Sequence, residues 1–499
     1  MRIIAALLVL PVTAFCQPAP PVDTTLPPPV QREFRALWVA TVNNMDWPSR
    51  PDLTTAEQQR ELLAILDRAA ALKMNAIVFQ VRPEADALYV SELEPWSRYL
   101  TGQQGRPPSP LWDPLEFAVT ESRKRGMELH AWFNPYRLAF WRERERSAQH
   151  ISSRRPDLVR TYAQFLWLDP GLRESRSLMM RAVLDVVRRY DVDGVHIDDY
   201  FYPYPEISSA TGQVIEFPDA PTFHAYQRNG GTLSRADWRR NNVDELVQEF
   251  YQAVKAEKPW VKVGISPFGI WRPGVPATTT AGLDQHNELY ADVRKWLNEG
   301  SLDYLAPQLY WPVRPADQSY PVLLRWWVQE NLKGRHIWPG LALYKLPLTG
   351  PRRMTADDIV EEIGITRATP GATGHIHFNA RVLMNNVQGI GDRLAAIYDE
   401  PALVPASPWL DSIAPAGPNV RVTDSTGSQV VRFEAQPGDS VWQWVVQARL
   451  AGAWHTTVLP RSRESLILQG PHAAADAVAV TAVDRTGNAS AATVVPRPR

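Results

Sequence analysis

The richest group of reactive side chains in the chain is Asp193-Gly-Val-His-Ile-Asp-Asp-Tyr200, where two neighbouring carboxylates follow a histidine on an apolar run. Successive side chains of a strand point to opposite faces, so Asp198 shares a face with His196 and Asp199 takes the other. Cleaving a glycosidic bond needs one carboxylic acid to protonate the leaving oxygen. A second carboxylate must attack the anomeric carbon or activate water. Asp198 suits the second task. For the acid, Glu84 in Phe79-Gln-Val-Arg-Pro-Glu84 is the first choice, with Arg82 and Tyr89 close in sequence. Asp46 also follows a strand, and Asp199 is the fallback, its ordinary role being an ion pair or cap toward a neighbouring loop or helix.

The same alternation predicts inward-facing sets at five strand ends: Gln80, Arg82 and Glu84; His130, Trp132 and Asn134; His196, Asp198 and Tyr200; Gln308 and Tyr310; His375, His377 and Asn379. Burying so many polar groups without a function is costly unless each finds a partner, which favours a site. Trp38, Trp132, Tyr136, Tyr200, Tyr202, Tyr310, Trp271 and Trp311 offer flat surfaces for sugar rings, although core filling competes for any single aromatic. Arg82, Arg137, Arg272 and Lys345 suit sugar hydroxyl, carboxylate or N-acetyl oxygens, and Asn43, Asn134, His196, Gln308 and Asn379 add hydrogen-bonding groups. A metal-dependent amidase or deacetylase is the enzymatic alternative, since His130, His196, His375, His377 and Asp198 can be drawn as a ligand set. No His-x-His follows the first strand, and neither a metal nor an organic cofactor is expected.

Such a site needs elements that bring distant segments together. Strands are expected at Phe34–Val42, Asn75–Val81, Glu128–Asn134, Gly194–Asp199, Val261–Pro267, Tyr304–Tyr310, Ile337–Leu343 and Gly374–Asn379, alternating with helical patterns from Thr55–Leu72 to Val382–Tyr398. Eight strand-then-helix repeats predict a (β/α)8 TIM barrel, with its reactive groups on the C-terminal strand ends and extra length after strands three and four. An open doubly wound sheet is the alternative fold, but no Gly-x-Gly-x-x-Gly follows a strand. Past Pro401–Pro408 the pattern changes to short strands between Val420 and Asp484. That stretch predicts a small β-sandwich whose ending resembles fibronectin type III modules.

Composition narrows the partners. Lys plus Arg number 53 against 54 Asp plus Glu, so no general attraction to nucleic acid exists and none is expected as a partner. Met1–Leu10 joins one positive charge to a short apolar run, the layout of a secretory signal over residues 1–16. The protein is expected to be exported to the periplasm or cell envelope. Membrane attachment is expected only if Cys16, the single cysteine, carries a lipid. Residues 17–31 form a Pro-rich linker, 32–400 the barrel and 410–499 the sandwich. No feature fixes an oligomeric state.

The segments Arg32–Pro48, Phe79–Tyr89, Asp193–Pro205, Gly264–Arg272 and Ala306–Trp311 together resemble the glycosyl-hydrolase-like 10 family. The resemblance implies a barrel glycosidase of the bacterial envelope, acting on peptidoglycan glycan strands or a related polysaccharide. His196 and Asp198 are also similar to an α-amylase-type pattern in which an inward basic residue precedes the catalytic Asp by two positions, with His here in place of Arg. A barrel that binds glycan without cleaving it is the alternative from a different functional class.

Overall fold

In the computed structural model, which describes residues 26–140, 143, 145–314, 317–425 and 427–497, strands form in all eight expected segments. The signal segment 1–16, Cys16 and most of the linker lie outside the described residues. The parallel sheet runs in the order His336–Ile337, Tyr304–Leu305, Lys262–Ile265, Gly194–Ile197, Glu128–Phe133, Ala76–Arg82, Phe34–Val39, Gly374–Phe378, Gly340–Ala342. Its first and last members are consecutive pieces of one segment, interrupted at Trp338-Pro339, where proline removes a backbone donor. The sheet therefore curls until its two ends meet in that segment. The Trp338 N–H donates to Leu305 O at 2.9 Å on one side, and the Ile376 N–H donates to Pro339 O at 3.0 Å on the other.

Alternation sorts the side chains into two layers. Phe34, Ala36, Trp38, Val78, Trp132, Tyr304, Trp338 and Ile376 fill the inside of the curl, with Phe34 stacked on Trp338 at 3.6 Å between ring centres. The intervening residues, such as Leu37, Ile77, Phe79, Leu129, Val195 and Val263, pack outward against helices. Strands buried on both faces need such a helical cover, as parallel sheets generally do. The helix Thr55–Ala71 supplies part of it with Leu62, Ile65 and Leu66, and starts at a capping box between Thr54 and Glu57. Such a cap contributes about 1 kcal/mol.

Within the parallel sheet and its connections, the structure departs from the sequence reading at several points. The loop after the third strand carries its own antiparallel sheet of Arg137–Phe140, Val159–Tyr162 and Phe165–Leu168. The sixth strand stops at Leu305 rather than Tyr310, although Gln308 still bridges to Phe268 and Gly340. The last helical pattern is broken into Ala380–Met384 and Ile390–Ile397, because Asn386, Gln388 and Gly389 adopt positive φ between them.

The C-terminal region is all β. One sheet pairs Asn419–Ser425, Ser428–Glu434 and Ser465–Gln469. The other pairs Ala453–Pro460, Gln443–Leu450, Ala477–Val483 and a seventh strand, Thr493–Pro496, absent from the sequence reading. Val431 and Phe433 of the first sheet meet Trp444, Val446 and Val480 of the second in a separate core. This unit docks where the barrel-type strands begin. Trp409 Nε1 donates to Asp303 at 2.8 Å and Arg485 pairs with Asp191 at 2.5 Å. Among the described residues no helix is long and apolar enough to cross a membrane.

Candidate active site

At the opposite end of the sheet, where the strands finish, lies a cavity of about 230 Å³. Trp38, Ala40, Val42 and Met45 border it from the first strand and its loop, with Gln80, Trp132, Arg137, Ser266, Gln308, Tyr310 and Phe378 around the rim. Asp198, Asp199, Tyr200 and Tyr204 complete it. Asp198 and Asp199 are the only carboxylates among these residues. The expectation that Asp199 faces away is corrected: the strand ends at Ile197, and the turn beyond it releases the chain from strict alternation.

Asp198 is held by a chain of fixed orientations. Gln80 Oε1 accepts the backbone N–H groups of Thr41 and Val42, both at 2.8 Å, which turns its amide nitrogen toward Asn134 Oδ1 at 2.5 Å. Asn134 must then direct its own N–H2 at Asp198 Oδ2. Trp132 Nε1 donates to the same oxygen at 3.2 Å. Asp199 accepts the Tyr204 hydroxyl. Both carboxyls are pushed above the ordinary carboxylate range, first by burial. The Asp199 charge raises Asp198 further, while the Arg137 guanidinium pulls both down. Two such close carboxylates titrate as a pair, and mutual repulsion favours one shared proton.

Glu84 is not on the cavity. It is fully buried, its Oε2 accepts the Tyr99 hydroxyl at 3.1 Å, and its other oxygen has no hydrogen-bond partner among the described residues. Burial, opposed by Arg137, pushes its carboxyl up to about 8. Arg137 lies between Glu84 and the aspartate pair, with its guanidinium 4.7 Å from the Tyr200 ring centre and 3.3 Å from Pro83 O. Asp46 is likewise buried, spent on the N–H groups of Ala40 and Arg381.

Of the expected substrate-binding residues, Trp38, Trp132, Arg137, Tyr200, Gln308 and Tyr310 border the cavity, and Asn134 and His196 sit directly behind it. The others lie elsewhere. Arg82 is committed to Glu94 at 2.6 Å. Asn43 is exposed and receives the Tyr99 hydroxyl at 3.3 Å. Tyr136 and Tyr202 are core residues. Trp271 stacks beside Trp326, Arg272 faces Asp284 at 3.4 Å, and Trp311 packs edge-on to Phe268. Lys345 donates to Tyr310 O, behind the rim.

The eighth strand carries a reversal of parity. Ile376 and Phe378 point inward, so His375 and His377 point outward onto the Tyr398 hydroxyl, and Asn379 misses the cavity. Those two histidines are therefore on the other side of the sheet from Asp198. Among the described residues, no three His, Cys, Asp or Glu side chains converge as a metal site requires. Sequence reasoning singled out the aromatic and proline loop Tyr200–Pro205, which contains Tyr204, but passed over Ser266, Ala40, Val42, Met45 and Phe378. Ser266 was reachable by the alternation rule, being two positions beyond the inward Gly264.

Residues 33–355 match the glycosyl hydrolase-like 10 family. Glycosyl hydrolase YngK of Bacillus subtilis (strain 168) is 40% identical over 419 residues, covering 82% of this chain and 80% of that one. Glycosyl hydrolase DigH of Escherichia coli (strain K12) is 34% identical over 402 residues, covering 73% of this chain and 89% of that one. Among solved structures, the PgaB (BpsB) glycoside hydrolase domain from Bordetella bronchiseptica aligns at a TM-score of 0.48 and 12% identity, over 76% of this chain and 100% of that domain. The extent of the family match and the identity to full-length relatives make this chain a member of the glycosyl hydrolase-like 10 family.

Proposed function

We propose that this chain is a (β/α)8-barrel glycoside hydrolase that cleaves O-glycosidic bonds, with Asp198 and Asp199 as its two carboxylates. One observation carries the reading: among the described residues the only carboxylates bordering the aromatic-lined cavity are this pair, both raised by burial toward the pH at which one of them keeps a proton. The partners of each divide the roles. Asp198 faces N–H donors from Trp132 and Asn134, which can only donate and so favour its charged form. Asp199 faces the Tyr204 hydroxyl, which can turn and accept when Asp199 holds the proton, and also the Gln308 amide, whose N–H favours its charged form. We assign protonation of the leaving oxygen to Asp199 on its hydroxyl partner, although burial and the Asp199 charge push Asp198 higher, to about 7 against about 6. Asp198 is the carboxylate that meets the anomeric carbon or its attacking water.

The proposed substrate is a cell-envelope polysaccharide, with peptidoglycan glycan strands as the first choice. Trp38, Trp132, Tyr310 and Phe378 supply the flat apolar faces that sugar rings need. We further propose export to the envelope by the segment 1–16, with lipid attachment at Cys16 as a variant of it. The C-terminal sandwich is proposed as a fibronectin type III-like spacer. The test is turnover of peptide-free glycan strands, followed by new reducing ends. Asp198→Asn and Asp199→Asn should each lower kcat by roughly 10²–10⁴-fold. A folded Asp198→Asn protein that cleaves at the wild-type rate overturns the assignment.

A further inference from the structure

A continuous line of polar side chains runs through the inside of the curled sheet, from the strand starts to the cavity. Lys262 Nζ meets Glu128 Oε1 at 2.8 Å, and Glu128 Oε2 meets His130 Nε2 at 2.9 Å. His130 Nδ1 is 2.8 Å from the Tyr304 hydroxyl, which is 3.0 Å from His196 Nδ1. His196 Nε2 is 2.8 Å from Ser266 Oγ, and Ser266 borders the cavity. The strands leave room for this line: a Cβ on Gly194 would come within 2.6 Å of the His130 ring, and one on Gly264 within 1.8 Å of the Tyr304 ring. No step of the proposed hydrolysis uses it.

The line has a direction that elementary hydrogen bonding fixes. Glu128, paired with Lys262, is an acceptor only, so His130 Nε2 carries a proton and donates to it. Burial keeps His130 neutral, which leaves Nδ1 bare and makes it the acceptor of the Tyr304 O–H. The Tyr304 oxygen must then accept from His196 Nδ1–H. His196 is neutral for the same reason, so its Nε2 is bare and takes the single proton of the Ser266 hydroxyl.

We propose that Ser266 is a specificity residue that offers the cavity only oxygen lone pairs, and therefore selects a sugar that presents a hydroxyl or amide N–H at that point. His130, Tyr304 and His196 are positioning residues that act through Ser266. An ether or carbonyl oxygen at the same place meets no proton and is rejected, because an unmatched buried acceptor loses its hydration without replacement. The kinetic part of this inference rests on the glycosidase reading. The proton order does not.

Neutron diffraction of the deuterium-exchanged full chain at neutral pH reads the order directly, whether or not the protein turns over glycan. The expected result is deuterium on His130 Nε2, His196 Nδ1 and the Ser266 hydroxyl, the last directed at His196. Deuterium on His130 Nδ1 or His196 Nε2 reverses the line and overturns the proposal. On peptide-free glycan strands, Ser266→Ala should raise KM about tenfold with kcat within about twofold, the loss of one neutral hydrogen bond. Tyr304→Phe should raise KM similarly although it removes no atom from the cavity, because it frees the His196 tautomer. If Ser266→Ala does not fold, Ser266→Cys, a far weaker acceptor, serves in its place. An unchanged KM in the folded variants refutes the selection of a donor.

Discussion

Glu84→Gln separates a buried structural carboxyl from a catalytic one, and its effect can be worked from the site. Glu84 is wholly enclosed, with one oxygen on the Tyr99 hydroxyl and the other without a hydrogen-bond partner among the described residues, and its carboxyl is held up to about 8 against an ordinary value of 4.5. Between those values the unfolded chain has lost this proton and the folded chain keeps it. Folding then takes up a proton, so stability is full below pH 4.5 and falls as pH rises toward 8. The slope is about 1.4 kcal/mol per pH unit, or about 4 kcal/mol between pH 5 and pH 8. Gln has nearly the same shape and does not titrate. Urea unfolding of both proteins at pH 5, 6, 7 and 8, followed by tryptophan fluorescence, should show the variant gaining on the wild type with each unit. The other raised carboxyls are common to both chains and cancel in the difference. Parallel stability curves would mean that Glu84 is already ionised in the folded protein and would refute the reasoning. Turnover should stay within about threefold of wild type; a collapse of kcat in a folded variant would return the acid's role to Glu84.

Three further outcomes follow from the same geometry. Asn134→Ala removes an N–H donor from the charged form of Asp198. It should cost about 10- to 100-fold in kcat/KM, as loss of a hydrogen bond to a charged group does, and move the acid limb of the pH–rate profile upward. In the wild type that limb should already lie above the range of an exposed aspartate, since burial and mutual repulsion both raise the pair; a limb near pH 4 in kcat/KM would contradict this. Gly264→Ala forces a methyl group into the Tyr304 ring and should destabilise the chain by at least about 1–3 kcal/mol in chemical unfolding.

Much of this was legible because the sheet is regular where it matters. Inward alternation holds from Phe34 to Trp38, from Ala76 to Gln80, from His130 to Asn134 and from Gly194 to Asp198, so the Asp198 neighbourhood followed from period two alone. It failed where regular pairing ends. Asp199 and Glu84 both lie beyond the last paired residue of their strands, and there a turn decides direction: toward the cavity for Asp199, into a separate buried cluster for Glu84. The eighth strand failed for another reason. His375 and His377 look like a polar inner face, but Tyr398, 21 residues further on than His377, satisfies both from outside and leaves the interior to Ile376 and Phe378. A partner that distant in sequence leaves no local trace. The antiparallel sheet in the third loop was missed because its strands are only four residues each.

The docking of the C-terminal sheets gives the molecule a front and a back. Arg32 reaches across to the carbonyl groups of Val404 and Gly487, and Gln447 reaches Pro28, so the first described residues leave from the same end that the sandwich covers. The cavity opens at the other end. On the proposal that Cys16 carries a lipid, the anchor would attach on the side of the sandwich and the mouth would face away from it. The proposed tether and the proposed polysaccharide substrate would then use different faces.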